Sequence, residues 1–278
     1  MKDLPKRSVT ALFFAAVLLC LIYYSFYSFL LLLLIISTGG ILELKQLFKG
    51  ANFSFDKSYL YLKYFVSVLL ILYPVFDNLM DGQRMYFYVL NFLGISLFIE
   101  FLFKKEFSKA LSEFFMLLYI LIFLMSSLNV FYFSFQKNYI FYFPLSIVLM
   151  IWANDTFAYF TGMLFGKHKL MPEVSPKKSV EGFVGGVVFS IVVAVLMFQF
   201  FLSDYNYWTI VDVVVISMIV GIFGTIGDLI ESKVKRLANV KDSGNLLPGH
   251  GGILDRFDAW YIAIPVIDIF LHFKQWLN

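Results

Sequence analysis

Long apolar runs, broken by short polar segments, dominate this chain. A run of about 20 apolar residues spans a hydrocarbon core roughly 30 Å thick at about 1.5 Å per helical residue, so each run predicts a membrane helix. The pattern predicts helices at residues 9–25, 26–47, 59–76, 85–103, 113–135, 140–165, 182–202, 207–230 and 259–277. The first two come from one apolar run, Val9 to Leu42, too long for a single crossing, and a tight turn near Ser25 to Ser28 is expected to divide it. The fold class read here is all-α: a polytopic helical membrane protein with nine transmembrane helices. It forms one integral membrane domain over 1–278. N-terminal membrane helices occupy 1–140, and a catalytic membrane region with polar loops at 166–181 and 231–258 occupies 141–278.

Composition agrees with the periodicity. Sixty per cent of residues are hydrophobic and 15% charged, against roughly 25% charged in a soluble domain. The single cysteine, Cys20, falls in the first span, which excludes a disulfide framework and a cysteine zinc site. Lys2, Lys6 and Arg7 lead into a first span expected to be retained. The 35 phenylalanines and 17 tyrosines are expected at lipid contacts and interfacial belts.

Charge tests the helix count independently. With nine helices and the N-terminus in the cytoplasm, 18 of the 22 basic residues fall on one side, while Arg84, Lys137 and Lys274 fall on the other and Lys63, just inside a span, is assigned to neither. This matches the positive-inside rule and puts both long polar loops in the cytoplasm and the C-terminus outside. Topology alone explains the basic residues at 45–57 and 104–109. The two later loops also carry acids, prolines and glycines, which topology does not require.

Ionisable groups inside apolar spans are costly and usually face a polar cavity. Asp155, Asp212, Asp228, Asp268, Glu43 and Glu100 qualify. Gly221, Gly224 and Gly227 precede Asp228 and would let another helix approach closely. On a continuous helix Asp228, Ser232 and Lys235 share one face. For Asp155 a cavity role and a bundle hydrogen bond, to Tyr159 one turn on, both stay open; Asp268, Glu43 and Glu100 are expected to be structural or interfacial.

The segment Ser175 to Gly182 opens the seventh helix, with Ser179 as the expected N-cap. Lys177 and Lys178 would add point charges for a phosphate at that helix start. Glu181 lies two residues after the cap rather than the three a capping box needs, so it is expected to favour the first turn or touch the basic cluster. In the 231–258 loop, Lys235, Arg236, Lys241 and Arg256 interleave with Asp242, Asp255 and Asp258 among Gly249, Gly251 and Gly252. Metal and cations facing anionic oxygens would need such a mixture. His250, between two glycines, is a candidate phosphate contact.

The run Ser232-x-Val-Lys-Arg-x4-Lys-Asp-x-Gly-x2-Leu-Pro-x-His-Gly-Gly-Ile-x-Asp-Arg-Phe-Asp258 resembles the signature of the phosphatidate cytidylyltransferase family, the CDP-diacylglycerol synthases. Asp155-Thr-Phe-Ala-Tyr159 and Ser175-Pro-Lys-Lys-Ser-Val-Glu-Gly182 also resemble that family, with Ser179 where threonine is common. The likeness is firm over 150–260. It implies transfer of the cytidylyl group of CTP to phosphatidic acid, using Mg²⁺ with a second cation left open, in a homodimer of the cytoplasmic (inner) membrane; no nucleic-acid partner is expected.

On that reading Asp228 and Asp255 are expected metal ligands, helped by Asp258. Lys235, Arg236, Lys241, Lys177 and Lys178 would neutralise the triphosphate or the lipid phosphate. Ser179, Ser232 and His250 would hydrogen-bond oxygens, with Asp242, Arg256 and Asp155 as further substrate contacts. The rival readings are a CTP-dependent lipid or polyprenol kinase and an ion-coupled transporter.

Overall fold

The computed structural model describes residues 4–50, 109–131, 139–205, 208–244 and 251–277. The expected helices at 59–76 and 85–103, and His250, lie outside the described residues. Within them the chain forms α1 (Leu4–Tyr24), α2 (Phe26–Gly50), α3 (Lys109–Phe131), α4 (Tyr142–Phe165), β1 (Lys169–Met171), β2 (Ser175–Ser179), α5 (Val180–Met197), α6 (Ile210–Leu237), α7 (Leu254–Phe257) and α8 (Trp260–Leu277). A π-helical turn, Phe198–Leu202, extends α5.

The long N-terminal apolar run breaks at Ser25 alone. Ser28 Oγ accepts from Ser25 N at 3.0 Å, and Ser25 Oγ accepts from Ser28 N at 3.2 Å. Two serines three apart thus cap α2 reciprocally, satisfying amides that a helix start leaves unpaired.

Among the described residues, four helices are long and apolar enough to cross a membrane: Phe26–Leu47, Tyr142–Phe165, Val180–Leu202 and Ile210–Leu237. Thr10–Tyr24 and Tyr119–Phe131 are shorter apolar helices. Val184, Val188, Val192 and Leu196 of α5 recur every four residues and stay exposed, a stripe suited to lipid. The protein is a membrane-embedded helical protein.

α5 packs along both α4 and α6, and α8 lies against α3 and α6. The α4–α5 contact depends on absent side chains: a Cβ at Gly186 would sit 2.7 Å from the Asn154 carbonyl oxygen. Phe157 and Phe189 stack across the same contact. The three glycines of α6 divide their work, Gly221 facing Val187 of α5 while Gly224 and Gly227 admit Ala259 and Asp258 at the start of α8. That approach brings the Asp258 region beside Asp228.

Two expectations about the loops are corrected. Residues 166–181 are not irregular, because they hold the antiparallel hairpin β1–β2, with Lys169 opposite Ser179 and Met171 opposite Ser175. Val174 N donates to Met171 O at 3.2 Å, so Pro172 occupies the second position of the connecting turn, where its fixed φ is favourable. The fold is therefore mostly helical rather than all-α. The 231–258 segment, in turn, begins as helix. α6 continues to Leu237, so Glu231, Ser232, Lys235 and Arg236 are held on its last two turns.

Two intramembrane acids have structural partners. Asp212 forms a capping box with Thr209 at the start of α6 and accepts from Lys274 Nζ at 2.5 Å. Asp268, buried in α8, accepts from Asn129 Nδ2 of α3 at 3.3 Å.

Candidate active site

Ser179 caps α5 as its spacing suggested: it is extended, with φ −121° and ψ 156°, and its Oγ accepts from Gly182 N at 3.1 Å. Glu181 turns back to accept from the Lys167 and His168 amides at 3.0 and 3.2 Å, tying the hairpin to the first turn of α5. Lys177 and Lys178 are thereby presented at the entrance to the helix.

These residues line one wall of a cavity of about 810 Å³. α6 contributes Asp228; the α7 region contributes Asp255, Arg256 and Asp258; α4 contributes Asp155 beside Asn154. The remaining wall is apolar, formed by Leu12 and Phe14 of α1 and by Trp152 and Met163 of α4. One chamber therefore offers a charged end and a greasy flank. Eight expected site residues meet there: Asp155, Lys177, Lys178, Ser179, Asp228, Asp255, Arg256 and Asp258.

Two networks organise the charged end. In the first, Asp228 pairs with Lys178 and accepts from Ser232 Oγ at 3.2 Å. Carboxylate oxygens of Asp228, Glu231 and Asp258 lie within 4.8 Å of one another. Burial, then the neighbouring Asp228 carboxylate, push the Asp258 carboxyl well above the usual range. Three hard oxygen donors this close repel one another unless a cation or proton sits among them, and they suit a hard divalent ion such as Mg²⁺. The Glu231 carboxylate is buried and, apart from its ion pair with Lys235, has no hydrogen-bond donor among the described residues. The residues therefore fit a metal site.

In the second network, Lys235 bridges Glu231 and Asp255, its Nζ donating to Asp255 Oδ1 at 2.6 Å. The other Asp255 oxygen accepts from Gly252 N and Ser243 N, both at 2.8 Å, and from Ser243 Oγ at 2.9 Å. Burial opposes ionisation of Asp255, but the Lys235 ammonium and the Gly252 amide prevail and hold its carboxyl down at about 2. Gly251 makes the turn possible: its φ of 82° favours glycine, and a Cβ there would meet Asp255 Oδ2 at 2.5 Å. Asp255, expected as a ligand partner of Asp228, thus borders the carboxylate trio through Lys235.

Arg236 is exposed and donates to Val240 O at 3.4 Å. Lys241 and Asp242 are also exposed, and none of these three belongs to the cavity wall. Two acids at the site were not anticipated as members. Glu231 carried a readable signal, since it follows Asp228 by three residues and so shares its helix face. Glu43 stood out only as an acid inside an apolar span, with nothing to indicate its partners: it comes from α2, some 200 residues before Ser243, Ile253 and Leu254.

The sequence profile of the cytidylyltransferase family matches residues 5–274. Among relatives, the phosphatidate cytidylyltransferase of Staphylococcus haemolyticus is 48% identical over 123 residues, 44% of this chain and 46% of that protein. Those of Staphylococcus saprophyticus and Staphylococcus aureus are 49% and 47% identical over the same lengths. The match thus spans about half the length of each relative, whereas the family profile runs nearly end to end. A membrane helical bundle whose acid and base residues converge on one cavity, matched to that profile over almost its whole length, belongs to the cytidylyltransferase family.

Proposed function

We propose that this protein transfers the cytidylyl group of CTP to phosphatidic acid, forming CDP-diacylglycerol and pyrophosphate. The observation that carries the reading is a cavity in which Asp228 and Asp258, grouped with Glu231, share the lining with Lys177 and Lys178 beside an apolar wall. A water-borne triphosphate and a lipid need those two environments side by side. The relatives' name supplies the reaction.

A lipid phosphate oxygen attacks the α-phosphorus of CTP, and the bond from that phosphorus to the β-bridging oxygen breaks, so pyrophosphate leaves with the electron pair. The attacking phosphate is already anionic, so no strong general base is needed and catalysis is alignment plus charge stabilisation. Asp228, Glu231 and Asp258 would hold Mg²⁺, which supplies charge neutralisation and Lewis acidity to the triphosphate. Asp255 sits one step away, across Lys235. Lys177 and Lys178 line the cavity, where their ammonium groups would meet phosphate oxygens, and Lys178, paired with Asp228, can pass to a substrate phosphate. Ser179 and Arg256 border the same space. Trp152, Met163 and Phe14 flank it as a surface for acyl chains.

Purified protein given CTP labelled at the α-phosphate and phosphatidic acid should place the label in lipid and release unlabelled pyrophosphate. Transfer from the γ-position instead would make the enzyme a kinase, and no transfer of either label would remove the reading.

We further propose nine spans, an N-terminus in the cytoplasm, a site facing the cytoplasm of the inner membrane, and a homodimer. The bias of basic residues supports the orientation. In a Cys20→Ser background, Val240→Cys should react with an impermeant thiol reagent only from the cytoplasmic side, and Asp204→Cys only from outside. Both positions are exposed. The reverse labelling would invert the topology.

A further inference from the structure

Glu43 is 4% exposed on α2, and its carboxylate points at the loop before α8 rather than at lipid or at the cavity. Oε1 accepts from Ile253 N at 2.7 Å; Oε2 accepts from Leu254 N at 2.9 Å and contacts Ser243 Oγ at 2.7 Å. Ile253 is the N-cap of α7 and offers no side-chain cap of its own. Glu43 therefore caps α7 from another helix, meeting donors that a helix start leaves unpaired. Gly252 leaves room for the carboxylate, because a Cβ there would collide with it.

The contact continues toward the metal-binding carboxylates. Ser243 Oγ touches both Glu43 and Asp255; Asp255 meets Lys235, and Lys235 meets Glu231. α7 itself ends at Phe257, next to Asp258. We infer that Glu43 is a positioning residue: through Ser243 and the first amides of α7 it sets where Asp255 and Asp258 stand, and so how tightly the Asp228–Glu231–Asp258 group holds a divalent cation.

The inference rests on the metal-site reading above, and Mn²⁺ binding to the purified full chain without nucleotide, followed by electron paramagnetic resonance, tests the two separately. Outer partners that orient ligands typically account for about 10- to 100-fold in metal affinity. Glu43→Gln keeps the volume but leaves one oxygen for two backbone donors, so its Kd for Mn²⁺ should rise about tenfold or more. Glu43→Asp, which keeps both oxygens, should recover part of the loss. Ser243→Ala deletes a single hydroxyl and should weaken binding by about threefold, on the scale of one lost hydrogen bond. Because both substitutions break one chain of contacts, the double variant should lose less than the product of the two single losses. A role confined to stability would lower the melting temperature and leave Kd unchanged in the folded variants, overturning the inference, as would strictly multiplicative losses. If Glu43→Gln fails to fold, an unchanged Kd in Ser243→Ala alone overturns it. Absence of Mn²⁺ binding in the unsubstituted protein overturns the metal site and this inference together. Normal binding with no cytidylyl transfer overturns only the proposed reaction.

Discussion

Asp228→Asn should lower turnover by at least about a hundredfold while the protein still inserts and folds. The substitution keeps the size of the side chain and removes one negative charge from the trio with Glu231 and Asp258. It also leaves the Lys178 ammonium without its carboxylate partner. Loss of one preorganised electrostatic group at a reacting phosphate is worth about 10²- to 10³-fold in rate. The position tolerates the change structurally, since Asp228 is partly exposed to the cavity and its helix is fixed by Gly224 and Gly227 against the start of α8. Steady-state kinetics with saturating CTP, beside a thermal melt, would check it. Turnover within threefold of the unsubstituted enzyme would remove Asp228 from the reaction.

Lys235→Met should act mainly on stability, and strongly. The Lys235 side chain is 12% exposed, between Glu231 at 4% and Asp255 at 9%. Its ammonium is the common partner of both carboxylates. Methionine preserves the volume but leaves two buried acids facing each other, and removal of one member of a buried ion pair costs about 3–5 kcal/mol. Asp255 also accepts from the Ser243 and Gly252 amides of the signature loop, so activity should fall with stability. The measurement is unfolding of detergent-solubilised protein followed against temperature. A variant as stable as the parent would show that the bridge is replaced by water or by a proton on Glu231. Restoring one neutral partner, in Lys235→Met with Glu231→Gln, should return much of the lost stability by removing one stranded charge.

Much of the fold was legible along the chain because its causes are local. Apolar runs long enough for a bilayer account for α2, α4, α5 and α6. The break before α2 needs only two serines three residues apart, and the start of α5 needs only Ser179 before Gly182. Helical periodicity likewise put Asp228, Ser232 and Lys235 on one face before any tertiary contact was considered. The hairpin after α4 was harder to read, since strands of three and five residues have too little periodicity to stand out from a polar loop.

What the sequence alone determined is the environment and the cast of charged residues: a membrane bundle, a basic loop at a helix start, and an Asp- and Lys-rich segment resembling one enzyme family. Tertiary structure decided which of those residues meet. Asp258 joins Asp228 only because Gly224 and Gly227 let the start of α8 press against α6. Asp255 lies behind Lys235, and Glu43 crosses from α2 to cap α7. Spacing along a helix specifies neighbours three or four residues away, but contacts between residues some 200 positions apart exist only once the bundle has packed. In the apolar interior each stranded carboxylate must then find a donor or cation wherever the packing supplies one.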